Sequence, residues 1–398
     1  MKIIRLFFAV LLLTGSVFNL IAAEGKSSSG NKTESQKQFS VARYLDLSKT
    51  LIEQGRYEEA AIAIGNYVEQ NPNADRSYYQ AVMDLLLKPE EKVEMKNLGS
   101  KVNSSTDDYF PRITSDGNTL YFISSERGGG VGGEDSWFSR KINGEWSSPQ
   151  NFGKQLNTST HEGILAISGD DNTAIVFGNY KGSFGSGDLF YSVRRGDRWT
   201  LPCNLGGTIN SDNWESMANL SPDGRTMLFV SDRADGYGDA DIWVSSLTLS
   251  GWTTPINLGS VINTSGSEGY PFLAADNKTL YFASTGHPGL GGRDLFVTRR
   301  VGDSWTEWTK PVNLGKEINT PQDDQDLTIP ASGDVGFMVK QNQPGGLGGY
   351  DIYTFTLPES MRPEKVYQLS GTVKDEEGNP VVAIVRYLDK ETNAEVTY

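Results

Sequence analysis

The sequence predicts a mainly β chain built on a five-bladed β-propeller, with a small α-helical domain before it and a partial β-sandwich after it. Three observations carry this expectation. Asn-(Leu/Phe)-Gly occurs at Asn97, Asn151, Asn204, Asn257 and Asn313, in steps of 54, 53, 53 and 56 residues. Asp-x-aromatic recurs in phase with it, at Asp135, Asp188, Asp241, Asp294 and Asp351. The 398 residues include 44 glycines and 11% aromatics, which suits many short strands joined by tight turns. A self-similar period of this length means stacked supersecondary units.

Each unit within residues 93–357 reads alike. An apolar-Asn-(Ser/Thr) turn follows, at Asn103, Asn157, Asn210, Asn263 and Asn319. Short apolar runs such as Leu120-Tyr121-Phe122-Ile123 and Leu280-Tyr281-Phe282-Ala283, bounded by turn residues, read as strands buried on both faces. A Gly-rich loop leads into the Asp-x-aromatic strand, and Trp146, Trp199, Trp252 and Trp308 mark a further strand. Four strands per unit make a propeller blade. The fifth unit has no Trp strand after Asp351, whereas Val93-Glu94-Met95-Lys96 precedes the first. That segment is expected to close the ring as the outer strand of blade five, removing the free edges of an open array.

The flanks differ in character. Residues 1–23 read as a secretory signal: Lys2 and Arg5, an apolar stretch from Leu6 to Phe18, then Ile21-Ala22-Ala23. Residues 24–38 read as a flexible linker rich in Ser, Gly, Asn and Lys. Residues 39–88 are helical, with Tyr44, Leu47, Leu51, Ala60, Ile64 and Tyr67 at helical spacing. The first break falls at Gln54-Gly55-Arg56-Tyr57, Asn71-Pro72-Asn73 ends the second helix, and a third runs from Asp75 to Leu87. Residues 366–398 hold Leu369-Ser370-Gly371-Thr372-Val373 and a hairpin turn at Glu391-Thr392-Asn393-Ala394. Two or three strands are too few for a two-sheet core, so either the chain is truncated at Tyr398, the favoured expectation, or this segment pairs with the propeller.

Several of these phrases resemble known families. Leu220-Ser221-Pro222-Asp223-Gly224-Arg225-Thr226, Asp241-Ile242-Trp243 and Pro255-Ile256-Asn257-Leu258-Gly259 are similar to the WD40-like propeller repeats of the TolB-type group. Tyr44, Leu47, Gly55, Tyr57, Ala60 and Pro72 resemble one tetratricopeptide repeat, and residues 366–398 resemble the start of a carboxypeptidase regulatory-like domain. This order resembles envelope proteins of Bacteroidetes-type bacteria, in which an OmpA-like peptidoglycan-binding domain follows and some members serve type IX secretion. The resemblance implies an exported protein of the periplasm or the periplasmic face of the outer membrane. Its implied partners are envelope or secretion proteins, and peptidoglycan through a missing C-terminal domain.

Charge excludes one class of partner. The formal net charge is −14, with no basic cluster, so nucleic acid is not expected. The apolar stretch at the N-terminus is short for a membrane span, and none is expected in the mature chain. The lone Cys203 makes no disulfide within the chain and reads as a small buried hydrophobe.

The candidate chemistry is acidic. Eleven residues after each Asn-(Leu/Phe)-Gly stand Asp108, Glu162, Glu215, Glu268 and, in blade five, Asp324, with Asp326 preferred if that blade carries a two-residue insertion. Asp108, Glu162, Glu215, Glu268 and Asp326 would ring one end of the channel. A functional ring would take a cation or a basic peptide, but a feature repeated in every blade reads first as architecture. Tyr109, His161, Trp214 and Tyr270 beside it form the candidate contact face. The sequons at Asn103, Asn157 and Asn263 read as turn chemistry, in which Asn bonds its own backbone. The Gly-rich loops lack the phosphate-cradle pattern, and their glycines are expected to permit positive φ. Asp232, Asp235, Asp239 and Asp241 cluster around Gly236 and Gly238, so Ca²⁺ is the single cofactor weighed, without the closing Glu of an EF-hand; no cofactor is expected. His161 and His287 have no metal-type spacing and read as loop residues. A glycosidase would need two carboxyls set roughly 5–10 Å apart with unequal surroundings. The sequence thus favours a non-enzymatic envelope scaffold or protein-binding protein. A glycan-binding or glycoside-hydrolysing propeller is the alternative.

Overall fold

The computed structural model describes residues 34–366 apart from Asn179, Ser186 and Asp197, and in the C-terminal segment residues 373–378, 381, 386–388 and 395–397. The signal segment 1–23 lies outside the described residues. Each blade is an antiparallel sheet. In blade one, Asp108–Ile113 pairs with Thr119–Ser125, which pairs with Glu134–Ile142. The inner strands of the other blades are Gly163–Ile167, Glu215–Leu220, Glu268–Leu273 and Gln325–Thr328. The second strands are buried almost throughout, as a strand between two neighbouring blades must be: Thr279–Ser284 has no exposed residue.

The fourth strand is split in two. The end of the third strand pairs with the Trp segment (Lys141 with Trp146), and its start pairs with the Asn segment (Trp137 with Asn151). Blade four differs, because a longer hairpin reduces the Trp pairing to the bridge between Arg300 and Trp308, while Phe296 still pairs with Asn313. This hairpin accounts for the repeat step of 56, so blade five carries no insertion before Asp324.

The ring closes as its ends predict. Met95–Asn97 pairs antiparallel with Tyr350–Thr356, in the register Met95 with Phe355 and Asn97 with Tyr353. Asn97 of this strand occupies the place that Asn151 has in blade one, and donates from Nδ2 to Asp351 at 2.9 Å.

The repeated residues are a bonding lattice. Asp135 accepts from the Gly-rich loop at Val131 N and Gly132 N, and from Asn151 Nδ2. Asn157 accepts from Ser136 N and donates to Ser136 O, tying the linking turn to the third strand of the blade before it. The sequon asparagines Asn103, Asn157 and Asn263 are buried by this bond. Their backbone partner is therefore a neighbouring strand and not their own backbone, and within the turn each donates to its first Asn, as Asn103 Nδ2 does to Asn97 Oδ1 at 2.9 Å; the self-turn belongs to Asn97, which accepts from Gly99 N at 2.7 Å. Positive φ explains only part of the glycine pattern. Gly129 has φ +90°, but a Cβ on Gly132 or Gly238 would collide with the backbone of the next linking turn, so these two are fixed by close approach.

Among the described residues three helices precede the ring: α1 (Glu34–Glu53), α2 (Tyr57–Gln70) and α3 (Arg76–Leu87). α1 begins inside the segment read as a linker, because Glu34-Ser35-Gln36-Lys37-Gln38 is mostly strong helix formers. Asp75 caps α3, accepting from Ser77 N and Tyr78 N. The three pack through Leu51, Ala60, Ile64, Val68, Val82 and Leu86, and Leu290 of blade four joins the same cluster. Lys316, in the link to blade five, donates to Leu86 O and Lys88 O, at 2.9 and 2.8 Å, and lies over the Tyr57 ring. No helix among the described residues is long and apolar enough to cross a membrane. Residues 367–398 form a separate unit, in which Arg386–Leu388 pairs with Glu395–Thr397. The described residues there make a two-stranded ribbon; the expected partial sandwich is not formed by them, and the turn at residues 391–394 lies outside them.

Candidate functional site

Antiparallel pairing puts the starts of all inner strands, the linking turns and the Gly-rich loops at one end of the ring, the channel mouth. The carboxylates predicted to ring it are there, but turned inward. Asp108, Glu215, Glu268 and Asp324 are at most 1% exposed, and Glu162 is 2% exposed. Each accepts from the linking turn four residues before it: Asp108 from Ser104 N, Glu162 from Thr158 N, Glu215 from Ser211 N, Glu268 from Thr264 N and Asp324 from Thr320 N. The carboxylates are loop anchors. Asp324, and not Asp326, holds this place in blade five.

A partner position went unread in the sequence. Arg127, Tyr180, Arg233, His287 and Lys340 recur every 53 or 54 residues. Each bonds the carbonyl just before the Asn of a linking turn: Arg127 to Val102 O, Tyr180 to Leu156 O, Arg233 to Ile209 O, His287 Nε2 to Ile262 O and Lys340 to Ile318 O. In blades one, three and five the side chain is a cation that also pairs with the ring carboxylate, Asp108, Glu215 or Asp324. Residue type varies while the bond persists, so a search for identical residues misses it; the fixed spacing was the available signal. His287 is thus an architectural residue.

Below the carboxylates every inner strand has a bulge. Phe110, Met217, Tyr270 and Asp326 sit at four of these with φ of +55°, +49°, +51° and +69°. Non-glycine residues rarely adopt this region, so the surrounding packing must hold them there. They turn inward and close the neck of the channel. Phe110 of blade one meets Tyr270 of blade four across it, ring centroids 6.0 Å apart, and Leu165 and Met217 join the same cluster. Beside them Arg112 of blade one pairs with Asp326 of blade five at 3.0 Å, donates to Leu165 O of blade two and lies over the Phe110 ring. Both are buried. Burial raises the Asp326 carboxyl to about 6, against the pull of Arg112, and lowers Arg112.

The predicted contact face divides. Tyr109 is half-buried, donates from its hydroxyl to Glu134 and makes an edge contact with Tyr350 at 6.4 Å. His161 is exposed, with Nδ1 3.3 Å from the other Glu134 oxygen. Tyr270 is part of the neck. Trp214 stands apart, on the side of blades two and three, edge-on to Phe177. Sequence reasoning missed Tyr350, Asp107, Asp323 and Arg293 at this mouth. Asp107 accepts from Tyr350 N at 3.0 Å, and Asp323 from Arg293 N at 2.8 Å. Burial and nearby carboxylates raise the phenols of Tyr109, Tyr270 and Tyr350.

The acids weighed for Ca²⁺ do not converge. Asp241 accepts from Tyr237 N, Gly238 N and Asn257 Nδ2, while Asp232 accepts from Trp214 N. Among the described residues no three His, Cys, Asp or Glu side chains group to hold a metal. Cys203 is exposed, contrary to its reading as a buried hydrophobe, because it lies in the outermost strand of blade two.

Asp294 marks where the helices meet the ring. It accepts from Leu290 N, but Asn313 bonds Pro288 O instead of Asp294, and Asp294 Oδ1 is buried without a partner. Burial, with Asp324 nearby, raises its carboxyl to about 7. A carboxyl raised on folding contributes stability that is full below its ordinary value and lost as pH rises through 7. Asp294→Asn should therefore be more stable than the parent at pH 8, by roughly 2–4 kcal/mol, with the gap closing towards pH 4. Urea unfolding at several pH values measures it.

No protein-family model matches the sequence, and no curated protein matches it significantly. Solved structures do. TolB from Acinetobacter baumannii is 12% identical over 66% of this chain and 62% of its own, with a TM-score of 0.38. The α-L-arabinofuranosidase PaAbf62A from Podospora anserina is 9% identical over 67% and 93%, at 0.41. The Bacteroides ovatus xyloglucan GH43B is 16% identical over 73% and 56%, at 0.40. The chain thus spans less than two thirds of the TolB structure. At these identities and TM-scores the likeness carries no argument about the function of this chain. The tetratricopeptide, regulatory-like and OmpA-type resemblances draw nothing from it.

Proposed function

We propose that this chain is a non-enzymatic binding scaffold of the cell envelope, exported by its N-terminal segment, whose propeller presents the channel mouth to a protein partner. The observation that carries this is the closed neck. Arg112, Asp326, Phe110 and Tyr270 fill the channel, and all five ring carboxylates are held by their own linking turns, so recognition falls to the mouth surface. The Lys316 clasp fixes the helices beside that surface and extends it. Association with peptidoglycan-anchored or type IX secretion assemblies belongs to this reading. The test is capture of envelope proteins by the full chain and by His161→Ala and Tyr350→Ala variants. Partners lost with these variants support it; partners retained by both count against the mouth.

A glycan-binding or glycoside-cleaving reading has support from the mouth itself. Tyr109 and Tyr350 stand beside Asp107, Glu134 and Asp323, an aromatic and acidic combination that also suits sugars. Binding or turnover in a screen of neutral oligosaccharides would replace the scaffold reading with this one.

A further inference from the structure

Charge at the mouth is one-sided. Glu134 is half-buried and its oxygens face Tyr109 and His161. Asp107 and Asp323 each use Oδ1 to accept a backbone N–H, and no described group donates to the second oxygen of either. The facing cations are few. Arg112 is consumed by Asp326, and Arg293, near Tyr270, donates from its guanidinium to Ser267 Oγ at 3.3 Å and leaves Nε without a partner among the described residues. One acceptor on the inner strand of blade five lacks a donor: Gln325 Oε1, at the repeat position of Tyr109, is buried with no partner among the described residues. An unsatisfied buried acceptor is rare and calls for a donor. Tyr109 and Tyr350, set edge to face, add aromatic surface at the same place.

We infer that the mouth between blades one and five receives a guanidinium or ammonium side chain from a basic polypeptide, over Tyr109 and Tyr350, with Asp107 and Asp323 beside it. This rests on the scaffold reading and names its ligand chemistry. The parts supply what a cation needs. Carboxylates give charge, aromatic faces give attraction that survives partial desolvation, and unpaired acceptors match a donor-rich group. A neutral sugar would leave the charge unmatched, and an acidic partner would be repelled.

The test is fluorescence anisotropy of a labelled oligo-arginine peptide with the full chain. Binding should weaken tenfold or more in Asp107→Asn/Asp323→Asn and in Tyr350→Leu, and much less in Tyr350→Phe, which keeps the ring. It should also weaken steeply with salt. Thermal melts check folding, and the single variant Asp323→Asn, at an exposed side chain, serves if the double variant unfolds. Peptide binding unchanged in these variants, or absent at low salt, overturns the inference. Envelope partners still lost on Tyr350→Ala would then leave the scaffold reading standing. Mouth-dependent binding of neutral oligosaccharides without peptide binding overturns both.

Discussion

Arg112→Ala should destabilise the folded chain by about 3–5 kcal/mol, the cost typical of leaving one buried charge without its partner. Asp326 is 2% exposed, and its remaining donor is the backbone of Phe110. The loss also removes the donor to Leu165 O, so three blades lose a shared contact. The double variant Arg112→Met/Asp326→Asn separates charge from packing. Met fills volume, and Asn tolerates the left-handed backbone at position 326. It should recover most of the loss in equilibrium denaturation. If it is no better than the single variant, the neck depends on shape and not on the ion pair.

A chain starting at Leu98 should lose its ring closure. Without Met95–Asn97, the strand Tyr350–Thr356 presents an unpaired edge, which invites pairing with another molecule. We expect association by light scattering. We also expect a Tm lower by roughly 10 °C, as several kcal/mol would give at about 2–4 °C each. A chain starting at Pro89 removes the helices but keeps the closing strand, and should remain monomeric. Equal behaviour of the two chains would mean that the helices, not the strand, hold the ends together.

The architecture was legible because a propeller repeats its bonding as well as its shape. Asn97, Asn103 and Asp135, each with four copies in phase, are the joints of the lattice, so reading them gave blade number, strand order and the closing segment. The site was less legible for the same reason. The carboxylates stood out by repetition, and repetition meant that each was engaged by its own turn. What distinguishes the mouth is non-repeated: Tyr350 where blade two has Gly187, and Gln325 where blade one has Tyr109. The bulges were invisible, since nothing in Phe110 or Met217 signals a left-handed backbone. The buried partnership of Arg112 and Asp326 joins residues 214 apart in sequence, which no local pattern records. Asp326 attracted attention for the wrong reason, a supposed insertion that lies in the outer hairpin of blade four.

The seam also sets the order of assembly. Lys96 is made early and waits for Thr354, 258 residues later, before its backbone can pair. Blades one to four can form from near-neighbour contacts as synthesis proceeds, but blade five lacks its outer strand until the two ends of the propeller meet. Closing so long a loop costs entropy that only the finished sheet recovers. We expect ring closure to be the last and slowest cooperative step, with the N-terminal helices, once clasped by Lys316, holding the strand Met95–Asn97 near Tyr350–Thr356.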